Sequence, residues 1–476
     1  MASSASVKNN NTSGGNSSRR LSSAMERTGQ WVFSQEISSD VIVQVGEAKF
    51  PLHKFILVTK SGYIRRMIME STEADLTRID LSDIPGGSEM FEKAAKFCYG
   101  VNFEINVHNV APLLCASHYL EMTESYCEGN LVGRTEEFLS HVALKSLSGA
   151  LAVLISCHQH HYHHPAHLLP VAEDLKIVQR CLDVASAKAC NEANFPSRSP
   201  ANWWMEELAK LDQVDLFKRV ITGMKSRGAK THTLATALKT YTEKSLLRDL
   251  VRDHSSSAAL SSSSLSNHQD NDDAATGGGL VMIRKRQQNV LETIVSILPS
   301  ENGAFPVNFL CYLLRSATFL EAANSCKREL ENRISAILEH VTVADLLVLS
   351  FTLDGEKLFD LESVRLIISG FVDKEKSVAV FNGGGGGGGG DGDYYFSKEG
   401  RAAAVSSRST TTSAMQKVAK MVDAYLGEIA TYPELSISKF NGIANLVPKE
   451  ARKVDDDLYR SIDIYLKVRS VRYQTN

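Results

Sequence analysis

A run of histidines is the densest set of potential metal ligands in the sequence. Residues 158–167 read HQHHYHHPAH, with histidines at His158, His160, His161, His163, His164 and His167. Imidazole binds zinc, copper or nickel, so a metal site is one interpretation. A built site needs three or four ligands at fixed geometry, with supporting groups around them. Here the histidines are nearly consecutive and stand beside Pro165 and Pro170, which favours a polar loop and predicts no bound metal.

Eight consecutive glycines, Gly383–Gly390, raise the question of a phosphate-binding loop. Such a loop needs Lys and Ser or Thr after the last glycine, because these side chains reach phosphate and magnesium. Asp391 and Asp393 follow instead, and their charge would repel phosphate. The sequence also lacks the patterns of serine hydrolases, zinc proteases and kinases. It therefore predicts a protein that is not an enzyme and holds no cofactor.

Two other clusters each allow a functional and a structural interpretation. The acidic run 455–457 could bind a hard cation, but aspartates are also favoured at a helix N-terminus, which we consider the better interpretation. Trp203 and Trp204 could form an aromatic recognition surface, but adjacent tryptophans at a helix start more often anchor that helix to its neighbours. Neither cluster points to catalysis.

Composition limits the class of partner. The 476 residues carry a formal net charge of -3, so no overall field draws the chain to nucleic acid or anionic lipid. No apolar run approaches the ~20 residues that span a bilayer, and the first thirty residues lack the apolar stretch of a signal peptide. The eight cysteines form no close pair, which predicts reduced, partly buried thiols. We expect a cytoplasmic protein that binds other proteins.

Periodicity divides the chain into an α+β part and a helical part. Residues 1–28 form a polar tail that we predict to be disordered. In the domain predicted at 29–140, Val41, Val43 and Val45 alternate as in a strand, with a return strand at 49–52 and a third at 77–81. Helices are predicted at 88–99, 110–120 and 124–139, which gives a small sheet capped by helices.

The remaining sequence is mainly helical. Residues 141–200 are predicted as a helical linker that contains the histidine-rich loop, and residues 201–476 as an all-helical domain. In that domain Met415, Val418, Val422, Tyr425 and Ile429 recur at steps of three and four, so each helix has one apolar stripe to bury in a multi-helix assembly. Low-complexity stretches at 254–280 and 382–413 predict disordered loops.

The α+β part resembles BTB/POZ domains. The matching residues are Ser39-Asp40-Val41, Phe50-Pro51-Leu52-His53-Lys54, Ser61-Gly62-Tyr63, Met67, and Phe97-Cys98-Tyr99-Gly100. The resemblance covers about 31–139 and implies the same fold of sheet and helices. It also implies a homodimer.

The helical part resembles the plant phototropism-signalling branch of that superfamily, the non-phototropic hypocotyl and root phototropism type. The matching stretches include 201–208, 291–299, 418–430 and 458–467. From them we take Trp203, Trp204, Tyr425 and Tyr459 as candidate motif residues of an interaction domain. Asn202 and Asp457 depart from the family pattern, which generally has Asp and Gly there. The family continues well beyond Lys467, so we expect a C-terminally shortened member.

The resemblance implies a function in assembly. Some BTB domains present an apolar-x-Glu motif to a type-three cullin, and Ile68-Met69-Glu70 stands at the corresponding place. With Tyr99, these are the candidate cullin-binding residues of a substrate adaptor for a cullin–RING ubiquitin ligase, which would act in plant light or developmental signalling by raising local substrate concentration. The alternative is that Ile68 and Met69 pack in the core and Glu70 is merely exposed.

A second function remains open. The chain could be a scaffold that tethers a blue-light photoreceptor kinase at the plasma membrane without ubiquitin transfer. Both functions use protein-binding surfaces, place the chain in the cytoplasm or peripherally at the plasma membrane, and need no nucleic acid.

Overall fold

The computed structural model describes residues 38–71, 76–158, 168–247, 273–301, 303–351, 360–383 and 412–474. The chain forms two compact units, Met1–Ala229 and Lys230–Asn476. The predicted order, a small sheet with helices followed by a mainly helical region, is confirmed. The predicted tail at 1–28, most of the histidine-rich run and most of the two predicted loops lie outside the described residues.

The described part of the first unit contains one three-stranded sheet. Its strands are β1 (Val41–Val45), β2 (Ala48–Leu52) and β3 (Arg78–Asp80), in the order β2-β1-β3. Strand β1 pairs antiparallel with β2 and parallel with β3. The turn between β1 and β2 contains Gly46 at φ 59°, a left-handed conformation that glycine adopts at little cost. The three alternating valines of β1 all point into the core, as their period of two predicts.

Ten helices belong to the described part of the first unit. They are α1 (Lys54–Val58), α2 (Gly62–Glu70), α3 (Gly87–Cys98), α4 (Val110–Tyr119), α5 (Leu131–His141), α6 (Leu147–Ser156), α7 (Leu168–Asp174), α8 (Ile177–Asn194), α9 (Trp203–Leu208) and α10 (Val214–Ser226). Helix α4 is the central one, since every residue from Val110 to Ser117 is buried. It packs against α3, α5, α6 and α7.

The two compact units divide the chain by its contacts. The predicted domains, with a linker at 141–200 and a helical domain from 201, stay a prediction. Helices α6 and α7 pack on α4, and α9 and α10 pack on α6 and α8. The first unit therefore extends to Ala229. The reason is that α4 is apolar on all sides and needs helical neighbours beyond those of the α+β domain.

Helix α5 begins seven residues later than the predicted start at Glu124. The Glu124 carboxylate instead accepts hydrogen bonds from the backbone N–H groups of Gly129 (2.7 Å) and Asn130 (3.2 Å). Gly129 has φ 64°, and the side chain of Asn130 then caps the helix by accepting from the Leu131 N–H. The Gly-Asn pair therefore ends the turn and starts the helix.

The described part of the second unit is helical. Its helices are α11 (Thr231–Thr242), α12 (Asp273–Ser296), α13 (Val307–Phe319), α14 (Asn324–Ala336), α15 (Val343–Ser350), α16 (Glu362–Gly383), α17 (Ser413–Ile429), α18 (Ile437–Ala444) and α19 (Asp456–Gln474). Helix α17 contacts α15, α18 and α19, and its predicted apolar stripe is buried. Helix α12 begins inside the predicted loop 254–280, because extending a formed helix costs less than nucleating one.

The thiols give a first prediction. All eight cysteines are free, seven are buried and Cys127 is half-exposed. Burial raises the pKa of the Cys98 and Cys157 thiols to about 12 and that of Cys326 to about 11, which suppresses the reactive thiolate. Mass spectrometry after brief alkylation at pH 8 should find one modified cysteine per folded chain, at Cys127. A Cys127→Ser variant should then stay unmodified until denatured, and rapid labelling of several buried thiols would contradict this.

Candidate protein-binding surfaces

Helix α2 carries the Ile68-Met69-Glu70 stretch, and its N-terminus is fixed by the buried Ser61. The Ser61 Oγ accepts a hydrogen bond from the Ile64 N–H at 3.2 Å and donates one to the Leu120 carbonyl at 2.7 Å. Gly62 follows, and the ring of Tyr126 lies where a β-carbon would stand. A serine cap and a glycine without a side chain thus lock the helix against the segment after α4.

The exposure of side chains increases toward the end of α2. Ile64 is buried and Ile68 is partly buried against the core, whereas Met69 is 72% exposed and Glu70 is exposed. The alternative in which both apolar residues pack in the core therefore holds in part for Ile68 and fails for Met69. The helix ends at Glu70, and the following Ser71 has an extended backbone.

The Glu70 carboxylate has no hydrogen bond or ion pair with any residue that the structure describes. The neighbouring Arg66 is engaged elsewhere, since its guanidinium donates two hydrogen bonds to the Glu121 carboxylate at 2.9 and 2.5 Å. Those bonds raise the pKa of Arg66 above its ordinary value. Glu70 can therefore accept hydrogen bonds from a partner without first breaking an internal pair.

Tyr99, the fourth candidate cullin-binding residue, is buried. Its hydroxyl oxygen accepts a hydrogen bond from the His53 backbone N–H at 2.9 Å and lies 2.9 Å from the His53 Nδ1. Burial raises the pKa of the phenol to about 12. Tyr99 thus links the end of α3 to the segment between β2 and α1, and it is not presented to a partner with Met69 and Glu70.

The two candidate motif tryptophans lie in the first unit and differ in environment. Trp204 is 1% exposed and belongs to the core. Trp203 is half-buried, and its Nε1–H donates to the Glu192 carboxylate at 3.2 Å while the Arg198 guanidinium stacks on its ring at 4.6 Å. Glu192 also accepts from the Ser197 hydroxyl at 2.6 Å. This geometry favours anchoring of α9 over an open recognition surface.

The two candidate motif tyrosines, both in the second unit, also differ. Tyr425 on α17 is fully buried with its hydroxyl oxygen 2.5 Å from the Ser350 Oγ, and burial raises its pKa. Tyr459 on α19 is 67% exposed. Among the four candidate motif residues of the interaction domain, Tyr459 is therefore the one most open to a partner.

A buried ion pair in the second unit escaped the sequence reasoning. The side chains of Asp423 and Arg452 are 3% and 4% exposed. The Arg452 Nε and Nη2 donate to the Asp423 carboxylate at 2.9–3.1 Å, and Nη1 and Nη2 donate to the Val447 and Ala444 carbonyls at 3.1 Å. An aspartate directly after the buried Val422 was the available signal. The pair joins α17 to the chain that leads into α19.

The described ranges contain no group of three His, Cys, Asp or Glu side chains that could hold a metal ion. Of the histidine-rich run only His158 is described, with its Nδ1 3.2 Å from the Leu154 carbonyl oxygen. No described helix is long and apolar enough to cross a membrane.

Comparisons with known proteins assign the chain to a family. The BTB/POZ domain model matches residues 31–132, and the NPH3 family model matches residues 202–471. Root phototropism protein 2 of Arabidopsis thaliana is 57% identical over 447 residues, which cover 94% of this chain and 68% of that protein. The BTB/POZ domain-containing proteins SR1IP1 and SETH6 of the same plant are 39% and 34% identical, each over 94% of this chain and 69% and 67% of their own lengths. The chain thus spans about two thirds of these relatives, and it belongs to the NPH3 family, with a BTB/POZ domain preceding its helical region.

Proposed function

We propose that this protein is a non-enzymatic adaptor in phototropic or developmental signalling, and that its BTB domain binds a type-three cullin of a ubiquitin ligase. The similarity to Root phototropism protein 2 supports the signalling context. The adaptor holds the cullin through the BTB domain and a protein substrate through the helical region. It acts as a homodimer in the cytoplasm or peripherally at the plasma membrane. Its contribution is effective concentration, which requires no reactive residue.

The exposed end of α2 is the observation that carries the cullin proposal. Ile68 offers a partly exposed apolar side chain, and Met69 extends the apolar surface. Glu70 offers a carboxylate that accepts no hydrogen bond from the described residues and interacts with Arg66 only at longer range. In the complex Ile68 fills an apolar pocket of the cullin, and Glu70 accepts charge-assisted hydrogen bonds, which are stronger than neutral ones.

Reversing the charge of Glu70 tests the proposal. Glu70→Lys should weaken capture of the cullin by the full chain roughly 30-fold or more, because losing one partner of a desolvated charged hydrogen bond costs about 2 kcal/mol or more. The measurement is the Kd of the purified chain for the cullin N-terminal region. Glu47→Lys is the matched control, since it makes the same charge change at an exposed position in the β1–β2 turn. Equal affinity of the Glu70→Lys variant and the wild type would refute the cullin contact.

The same variant separates the alternative function. A scaffold for a blue-light photoreceptor kinase should bind its kinase through surfaces that do not need the cullin. Kinase capture that survives Glu70→Lys, together with unchanged substrate ubiquitination, would favour that scaffold over the ligase adaptor.

A further inference from the structure

Arg66 on α2 interacts with two carboxylates. Its Nη1 and Nη2 donate to the two oxygens of Glu121 at 2.9 and 2.5 Å, which is a bidentate pair. Glu70 stands four residues after Arg66 in the same helix, so the two side chains share one helix face. Both carboxylates raise the pKa of Arg66, Glu121 more than Glu70. The structure therefore shows Arg66 bound to one acid while a second acid attracts it from a longer distance.

Glu121 is held beside α2 by its backbone. It follows the C-terminal end of α4 with φ 51°, a left-handed conformation in which glycine is the most common residue at a helix end. Its N–H donates to the His118 carbonyl at 3.0 Å, and its own carbonyl accepts from the Gly62 N–H at 3.3 Å. The first bond closes α4, and the second fixes Glu121 at the start of α2. The backbone thus presents the Glu121 carboxylate to Arg66, one turn further along α2.

Glu70 is the acid that Arg66 would bind if the Glu121 carboxylate were absent. Opposite charges four residues apart attract each other on a helix surface. Glu70 is also the last residue of α2, where the partial negative charge of the helix end makes a nearby cation favourable. An Arg66–Glu70 pair would occupy the carboxylate that the proposed cullin contact needs.

We propose that Glu121 is a positioning residue for the cullin contact, because it holds Arg66 and so keeps the Glu70 carboxylate open to the partner. The inference rests on the proposed function of the end of α2. Glu121 acts through Arg66 and needs no contact of its own with the cullin. The effect on affinity is modest, because an exposed ion pair is weak and forms only part of the time. If it covers Glu70 in roughly a half to two thirds of the molecules, the Kd for the cullin rises about two- to three-fold.

A double-mutant cycle in the full chain tests this role. Glu121→Gln removes the charge, keeps the length of the side chain, and should raise the Kd for the cullin N-terminal region about two- to three-fold. Arg66→Gln alone should leave the Kd unchanged, and the double variant should bind like the wild type, since no arginine remains to cover Glu70. Glu47→Gln, the same change at an exposed position, is the control. Three results would overturn the proposal: an unchanged Kd for Glu121→Gln, a double variant as weak as Glu121→Gln, or an Arg66→Gln variant that binds tighter by the factor that Glu121→Gln loses.

A second measurement needs no cullin. Nitrogen-15 NMR of the arginine-labelled chain follows the guanidinium of Arg66, whose signal is identified by its loss in Arg66→Gln. In the wild type, Glu70→Gln should leave that signal almost unchanged. In the Glu121→Gln background the same change should shift it, because Arg66 then lies on Glu70. A signal that ignores Glu70 in both backgrounds overturns the positioning role even if the cullin binds. If the wild type fails to bind the cullin, the proposed function falls, and the NMR result still decides whether Glu121 controls access to Glu70.

Discussion

Replacing Asp423 with alanine is expected to lower the free energy of unfolding of the helical unit by about 3–5 kcal/mol, the usual cost of leaving a buried charge without its partner. Arg452 would keep its two backbone acceptors but lose the carboxylate that balances its charge. Water cannot replace that carboxylate without opening the contact between α17 and the chain before α19. The variant should therefore unfold at a markedly lower urea concentration.

Two probes separate the unfolding of the two units. All three tryptophans lie in the unit Met1–Ala229, so tryptophan fluorescence follows that unit and circular dichroism follows both. Glu428→Ala, which removes an exposed carboxylate from the same helix, is the control and should cost less than about 0.5 kcal/mol. Asp423→Leu combined with Arg452→Met should restore most of the stability, because well-packed apolar pairs replace buried ion pairs at little cost. A loss below about 1 kcal/mol for Asp423→Ala would show that the pair is not needed.

Replacing Trp204 with alanine should destabilise the first unit by about 3–5 kcal/mol, because it removes the largest of the fully buried side chains and leaves a cavity. Trp203→Ala is the informative comparison. Its ring is half-exposed and its loss removes one hydrogen bond to Glu192 and the stacked Arg198, so we expect about 1–2 kcal/mol. Urea unfolding followed by circular dichroism measures both. A larger loss of unfolding free energy for Trp203→Ala than for Trp204→Ala would contradict the conclusion that Trp204 contributes more to the stability of the first unit.

Regular patterns made the architecture predictable. The valines of β1 alternate with a period of two, and the apolar residues of α17 follow the helical period. In both elements the apolar residues are the buried ones. The start of α5 and the boundary at Ala229 could not be predicted in the same way. The start of α5 depends on the hydrogen bond from the Gly129 N–H to the Glu124 carboxylate. The boundary depends on packing between helices that are far apart in sequence.

The candidate surface was predictable in position but not in exposure. The stretch from Ile68 to Glu70 stands out by its place after the Ser-x-Tyr helix start, yet whether Met69 is buried depends on where α2 leaves the core. Tyr99 and Tyr425 were also candidate site residues, and both are buried. An aromatic residue within a family motif can serve the core or a partner, and only the hydrogen bonds to His53 and Ser350 place these two inside.

Helix α4 has a consequence for the preparation of fragments. Leu113 and Ala116 belong to the core cluster beneath the sheet, whereas Leu114 and Cys115 are buried outside that cluster. A fragment cut at residue 132, where the BTB match ends, would keep this helix but lose the helices that cover its other side. The newly exposed leucine- and alanine-rich surface would promote aggregation and non-specific binding, which could be mistaken for partner binding. Fragments that extend to Ala229 keep that surface covered.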